Sequence, residues 1–121
     1  MTRRRGTAIV DIPGKGILLA SDKHRTFMLP GGGAGKGESR RRAAIRELEE
    51  ETDLETVSCE FLFEVNTSVN HKVFLIKPKG YERPKNEIKY LVWWNQGDKI
   101  KMSNGTKKIL NFYLLNKNKI T

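Results

Sequence analysis

Residues 32–54 read GGAGKGESRRRAAIRELEEETDL and join a glycine-rich segment to a helix that is rich in acids. Ser39 is a residue type that can cap the start of such a helix. At about 100° per residue, Glu47, Glu50 and Glu51 fall on one side, which we call the acidic flank, and the apolar residues fall beside it. The pattern therefore predicts a helix with one side for the core and another for a polar ligand.

The acidic flank belongs to a basic chain, in which 23 Lys and Arg residues and 14 Asp and Glu residues give a net charge of +9. Neighbouring carboxylates repel one another, and a divalent cation such as Mg²⁺ or Mn²⁺ removes that repulsion by binding their oxygens. Arg46 lies four residues before Glu50 and can hold its carboxylate in place. The alternative is a solvated helix face, but the preceding glycines favour a ligand site, because glycine lets the backbone approach a ligand closely.

Length and composition predict one domain over residues 1–121. The sequence has no apolar run of the roughly 18 residues that a membrane span needs, and no pattern typical of a secretory signal. Cys59 is the only cysteine, so an internal disulfide is excluded and a cytoplasmic location is expected. We expect Cys59 to be a small buried residue in a strand. The positive charge favours polyanionic partners such as nucleotides, nucleic acid or anionic lipid, although it can also serve solubility alone.

Turn residues and apolar periodicity predict further elements on both sides of the acidic helix. Two apolar runs, residues 7–10 and 17–20, flank a proline and two glycines and are typical of a β-hairpin. Alternating apolar residues predict three more strands, over residues 57–65, 69–77 and 88–94. Helices are expected over residues 39–52 and 106–115, the second capped by Ser103 or Asn104. This order predicts an α+β or α/β sandwich with a mixed sheet.

The spacing of residues 32–54 resembles the signature of the Nudix hydrolase family, G-x5-E-x7-R-E-U-x-E-E-x-G-U, where U is a bulky aliphatic residue. The matching residues are, in order, Gly32, Glu38, Arg46, Glu47, Leu48, Glu50, Glu51 and Leu54. One fixed position departs, because Asp53 stands where the family has the glycine that shapes the turn leaving the helix. Aspartate tolerates such turn conformations better than most residues, so we expect an intact site with a small local cost.

The resemblance implies an α/β/α sandwich and the hydrolysis of a nucleoside diphosphate that is linked to another group. The implied ligands of a divalent metal ion, Mg²⁺ or Mn²⁺, are Glu47, Glu50, Glu51 and the backbone carbonyl of Gly32. The resemblance also implies that Glu38 supports the metal site and that Arg46 orients a helix carboxylate. The absence of clear markers of the ADP-ribose and dinucleoside-polyphosphate branches favours compact, MutT-like enzymes that act on nucleoside triphosphates.

A carboxylate must also take a proton from the attacking water. In the family this base is either a signature glutamate, such as Glu50, or an acid on a later loop. Glu87 is our candidate for the later acid, because it ends a polar loop just before a predicted strand; Glu82 and Asp98 are weaker candidates. A surface acid at the start of a strand is the alternative interpretation of Glu87.

Substrate contacts are less well marked in the sequence. Lys23 and Arg25 precede the glycines and are candidates to bind substrate phosphates, and Phe27 is a candidate to stack on a base. The alternatives to a nucleoside triphosphate are a dinucleoside polyphosphate, ADP-ribose or 5′-triphosphate RNA, or a non-catalytic module that binds nucleotide or RNA. Nucleic acid is a possible but less favoured partner, and either a monomer or a homodimer is compatible with the sequence.

Overall fold

A computed structural model describes residues 3–120 of the protein, with side chains through Lys117. The elements in this part of the chain are β1 (Arg4–Ile9), β2 (Asp11–Ile12), β3 (Gly16–Ser21), β4 (Gly31–Gly33), α1 (Arg40–Thr52), β5 (Glu55–Asn66), β6 (Asn70–Lys79), β7 (Tyr90–Trp94) and α2 (Asn104–Ile120). The strands form one sheet in the order β4-β1-β6-β5 and a second in the order β2-β3-β7. β1 runs antiparallel to β4 and parallel to β6, which confirms the predicted α/β class with a mixed sheet.

Two apolar clusters lie on opposite faces of the sheets, because successive strand residues point in opposite directions. Ile9 of β1 packs in one cluster with Ile109 of α2. Its neighbour Ala8 packs in the other cluster with Leu48 of α1. The two helices therefore cover opposite faces, which is the α/β/α sandwich that the resemblance implies.

Helix α1 lies directly on β1 at Gly6. A Cβ atom on Gly6 would lie 2.7 Å from the backbone nitrogen of Ala44 and would also meet the carbonyl of Arg40. Ala43 and Ala44 are fully buried at this contact, so small residues on both elements permit the close approach. This packing carries the acidic flank to the edge of the sheet where β4 lies.

The predicted hairpin between residues 7–10 and 17–20 is wrong in its pairing. β1 has β4 on one side and β6 on the other, so it has no free edge for β3. The hairpin is formed instead by β2, whose Asp11 pairs with Ile17 of β3. A hydrogen bond of 3.0 Å from the Leu18 N–H to the Val10 carbonyl joins β3 to the end of the predicted first strand.

The strand predicted over residues 57–65 lies within β5, but the regular alternation of a half-buried strand is interrupted there by two irregularities. Its register against β6 shifts between Thr56 and Ser58 and again between Phe61 and Phe63. Each extra residue reverses the direction in which the following side chains point. Phe63 and Val65 therefore pack on one apolar cluster, whereas Cys59 packs on the other. Val57 is 63% exposed and Phe61 46% exposed, and Cys59 is half-buried rather than buried.

The last helix begins close to where the sequence predicts but is longer. The Ser103 hydroxyl accepts a hydrogen bond of 3.2 Å from the Thr106 N–H, so Ser103 caps α2, as one of the two predicted alternatives. Among the helices of residues 3–120, none is long and apolar enough to cross a membrane.

Candidate active site

The glycines ahead of α1 form the strand β4. Gly31, Gly32 and Gly33 pair with Thr7, Gly6 and Arg5 of β1. A Cβ atom on Gly32 would lie 2.7 Å from an oxygen of the Glu47 carboxylate. Glycine at this position therefore lets the carboxylate of Glu47 lie directly against the backbone of β4.

Both ends of α1 are capped by the residues that the sequence indicates. The Ser39 hydroxyl accepts a hydrogen bond of 3.1 Å from the Arg42 N–H at the start of the helix. At the end, Asp53 adopts a left-handed conformation with φ of 65°, and its N–H donates to the Glu49 carbonyl. Aspartate thus takes the backbone conformation that favours glycine, which confirms that the substitution leaves the turn intact.

Arg46 connects the acidic flank to Glu38 through a set of contacts that we call the Arg46 network. Its guanidinium forms a fork on the Glu38 carboxylate, with Nε–Oε2 and Nη2–Oε1 distances of 2.8 and 2.9 Å. Its Nη1 donates to Glu47 Oε1 at 2.8 Å and contacts Glu50 Oε2 at 3.2 Å. The hydrogen bonds from Arg46 lower the pKa of Glu38 to about 2, so Glu38 is a fixed negative charge.

Glu51 differs from the other acids because it is more deeply placed. Its Oε1 accepts a long hydrogen bond of 3.3 Å from the Gly31 N–H. Burial, with a smaller contribution from the neighbouring Glu47, raises the pKa of Glu51 to about 8, although the Gly31 N–H and the Arg5 guanidinium oppose the shift. A shielded carboxylate beside a second carboxylate is stabilised by a bound cation.

The oxygen donors fit a hard divalent ion, but they are not assembled into a cage. In the part of the chain that the structure describes, no three or more His, Cys, Asp or Glu side chains form a group that could hold a metal ion. Arg46 instead contacts Glu47 and Glu50, and the Gly31 N–H contacts Glu51. Carboxylate and carbonyl oxygens are nevertheless the ligand types that Mg²⁺ and Mn²⁺ prefer.

The loop that carries Glu87 crosses the C-terminal end of α1. The Lys85 N–H donates to the Glu51 carbonyl at 3.1 Å, and the Asn86 side chain donates to the Glu50 carbonyl at 2.7 Å. Glu87 follows immediately and is exposed, so its assignment as a base stays a prediction.

The two weaker candidates for the base already have partners away from the acidic flank. Glu82 accepts a hydrogen bond of 2.9 Å from the Trp93 indole, and Asp98 accepts one of 2.9 Å from the Asn95 N–H. Each carboxylate therefore has a local structural contact, and these contacts favour Glu87 as the later acid.

A cavity of about 440 Å³ opens beside β4, between β1 and the start of α2. The residues that line it include Arg5, Thr7, Met28, Gly33, His71 and Asn104, and we call it the β1–α2 cavity. Sequence reasoning did not select these residues, which come from distant segments of the chain. The alternation of Arg5 and Thr7 along a strand is the one local signal that they share a face.

The three predicted substrate residues lie outside the lining of the β1–α2 cavity. Arg25 stacks on Tyr90, with its guanidinium carbon 4.5 Å from the ring centre, and Lys23 is exposed on the same loop. Phe27 is only 8% exposed and packs in the core, which leaves little of its ring for a base to stack on. The next residue, Met28, is 40% exposed and lines the cavity instead.

His71 is a neutral group in the wall of the cavity. Its Nδ1 lies 2.8 Å from the Thr7 hydroxyl and its Nε2 lies 3.0 Å from the Thr67 hydroxyl. Burial, and to a smaller extent the charge of Arg5, lowers the pKa of His71 to about 4. The ring therefore adds hydrogen bonding but no positive charge near neutral pH.

Solved structures that share this architecture include hydrolases. A Nudix hydrolase family member from Chromobacterium violaceum is 34% identical, with a TM-score of 0.91 over 100% of this chain and 82% of that chain. A MutT Nudix hydrolase from Burkholderia pseudomallei is 24% identical, with a TM-score of 0.80 over 92% of this chain and 97% of that chain. An ADP-ribose pyrophosphatase from Streptococcus suis is 20% identical, with a TM-score of 0.77 over 100% and 94%. The last two likenesses show the fold alone.

The sandwich, its acidic helix and the 34% identity to the Chromobacterium violaceum protein place this protein among hydrolases. The NUDIX domain family model matches residues 2–110. Because this match covers most of the chain, the protein belongs to the Nudix family. A comparison with curated proteins found no match.

Proposed function

We propose that this Nudix hydrolase cleaves the pyrophosphate linkage of a nucleoside triphosphate with the help of Mg²⁺ or Mn²⁺. The observation that carries the proposal is the acidic flank, which the Arg46 network holds beside the backbone of Gly32. Nudix hydrolases generally use divalent metals. When bound, the ion would neutralise phosphate charge and lower the pKa of the attacking water.

The protein's own groups have separate tasks in this proposal. Glu47, Glu50 and Glu51 would hold the ion together with the Gly32 carbonyl. Arg46 orients Glu47 and Glu50 and is itself fixed by Glu38, because a fork on a carboxylate defines the plane of the guanidinium. Glu50 or Glu87 would accept the proton of the attacking water.

The β1–α2 cavity supports a nucleotide as the substrate. Its volume of about 440 Å³ is in the usual range for small-molecule sites. Arg5, at one end of it, interacts electrostatically with Glu51 and Glu47, so the cavity adjoins the acidic flank. The nucleoside would occupy the cavity while its phosphates lie over the acids. The MutT likeness favours a nucleoside triphosphate, and ADP-ribose is the competing substrate suggested by the likeness to the Streptococcus suis enzyme.

A hydrolysis screen tests the proposal directly. Release of phosphate or pyrophosphate is measured for nucleoside triphosphates, ADP-ribose, dinucleoside polyphosphates and 5′-triphosphate RNA, with Mg²⁺, with Mn²⁺ and with a chelator. We expect metal-dependent turnover that falls by about 10²-fold or more in Glu50→Gln and in Glu51→Gln. Glu49→Gln is the matched control, because Glu49 is an exposed acid on the same helix but outside the acidic flank.

Two outcomes would contradict the proposal at different levels. Unchanged turnover in both Glu50→Gln and Glu51→Gln would refute the role of the acidic flank. Faster turnover of ADP-ribose than of any nucleoside triphosphate would refute the substrate and leave the class of enzyme unchanged.

A further inference from the structure

Asp53 carries a side chain at the one fixed position of the Nudix signature where this sequence departs from glycine. Its backbone already has the left-handed conformation, with φ of 65°, that glycine would supply. The Asp53 carboxylate is therefore not required for this backbone conformation. The carboxylate oxygens instead reach Lys85 Nζ and Arg83 Nε, each at 3.0 Å. The departure adds two ion pairs to a loop that lies 30 residues further along the chain.

Those two cations belong to the loop that closes the C-terminal end of α1. The Arg83 N–H donates to the Thr52 carbonyl at 2.9 Å, and the Lys85 N–H donates to the Glu51 carbonyl at 3.1 Å. The last carbonyls of a helix have no partner within the helix, so the loop supplies the donors that they need. Asp53 thus contacts the side chains of the same two residues whose N–H groups make the backbone contacts.

We infer that Asp53 is a positioning residue that holds residues 83–87 against the end of α1 and thereby fixes Glu87 beside the acidic flank. Its effect on catalysis rests on the proposed function, whereas its effect on the loop does not. Asn86 turns the chain in a left-handed conformation, with φ of 56°, and its side chain donates to the Glu50 carbonyl immediately before Glu87. The position of Glu87 is therefore set by a loop that contacts the backbone of two acids of the flank.

The ion pairs are expected to act on loop position rather than on the stability of the fold. The side chains of Asp53 and Lys85 are 36% and 35% exposed, and that of Arg83 is 72% exposed. Exposed pairs of this kind contribute little to global unfolding, because water solvates the separated charges well. They can still change how often a loop opens, since loop opening requires only a few local contacts to break.

Amide hydrogen exchange tests the loop contact without reference to catalysis. In Asp53→Asn and Asp53→Gly, which both tolerate the left-handed conformation, the Arg83 and Lys85 amides should exchange about fivefold faster than in the wild type. Glu55→Gln is the control, because it removes a more exposed surface ion pair, between Glu55 and Lys79 at 3.3 Å, from a site two residues further along the chain. Unchanged exchange of both amides in both Asp53 variants would overturn the inference.

A double-mutant cycle tests whether the loop acts through Glu87. The kcat for nucleoside triphosphate hydrolysis is measured for the wild type, Asp53→Asn, Glu87→Gln and the double variant. Asp53→Asn should lower kcat about fivefold with little change in KM, and should add nothing once Glu87 is Gln, because the two residues then act as one unit. An unchanged kcat in Asp53→Asn, or an equal fall in both backgrounds, would overturn the inference. If the wild type hydrolyses no nucleotide, the proposed function fails, and the exchange measurement alone decides the placement of the loop.

Discussion

The acidic flank and the β1–α2 cavity lie side by side but have opposite electrostatic character. The acidic flank presents three carboxylates, of which Arg46 contacts two. The cavity is lined by Arg5 and by the neutral ring of His71, with no carboxylate among its lining residues. The acidic flank therefore suits a cation, whereas the cavity suits an uncharged nucleoside that is attached to negatively charged phosphates. Under the proposed function, the acidic flank would hold the metal ion and the cavity would hold the nucleoside, so the two charges would not repel each other.

The largest expected effect comes from breaking the geometry of the acidic flank while keeping its charge. Arg46→Lys retains the positive charge but loses the fork on Glu38 and the simultaneous contacts with Glu47 and Glu50, because an ammonium group cannot span them. We expect kcat/KM to fall by about 10- to 100-fold, as for other groups that orient metal ligands. Steady-state hydrolysis at saturating Mg²⁺ measures the change.

Arg42→Lys is the control for that substitution, since Arg42 is an exposed arginine one turn earlier on the same helix. Its kcat/KM should stay near the wild-type value. A loss in Arg46→Lys no greater than in Arg42→Lys would show that charge alone, rather than the fork, maintains the acidic flank.

The two regions also differ in how far the sequence could predict them. The acidic flank depends only on residues that are close together in the sequence. Fixed spacings on one helix predict which side chains share a face, and Ser39 and Asp53 mark where that helix begins and ends. The cavity depends on the parallel pairing of β1 with β6, which brings Arg5 beside His71. No local pattern encodes a contact between strands so far apart in the chain. The irregularities around Val57 and Phe61 likewise follow from strand pairing, so alternation alone mispredicted their burial.

A smaller but related effect is expected where the acidic flank touches β4. In Gly32→Ala the new methyl group would displace the Glu47 carboxylate, whose oxygen lies 2.7 Å from the Cβ position. We expect about a 10-fold loss of kcat/KM and a loss of about 1–3 kcal/mol in the free energy of unfolding, typical of overpacking. Gly33→Ala is the control, because the nearest atom to its Cβ position is 3.9 Å away. Equal losses in the two variants would contradict the close contact between Gly32 and Glu47.

The cavity is expected to respond to pH through His71. Its folded pKa of about 4 lies below the ordinary value of 6.5, so the unfolded chain binds more protons between these values. The contribution of His71 to the free energy of unfolding is fully present above pH 6.5 and is lost as pH falls toward 4. Urea unfolding at pH 7 and pH 4.5 should show a loss on the order of 1–2 kcal/mol that is smaller in His71→Gln. His24→Gln is the control, because His24 is exposed, and this variant should lose as much unfolding free energy between pH 7 and pH 4.5 as the wild type.

The smallest expected effect concerns which side chain contacts the nucleoside. Met28 lines the cavity, whereas Arg25 lies on the ring of Tyr90 and outside the lining. Met28→Ala removes apolar contact from a bound nucleoside, so we expect KM to rise by about five- to tenfold. Such a rise corresponds to the loss of about 1 kcal/mol of binding free energy from buried apolar surface. Arg25→Ala should change KM by less than about twofold, since an exposed arginine stacked on a tyrosine contributes little to a separate site. A larger rise in KM for Arg25→Ala than for Met28→Ala would move the nucleoside from the β1–α2 cavity to the loop that carries Lys23 and Arg25.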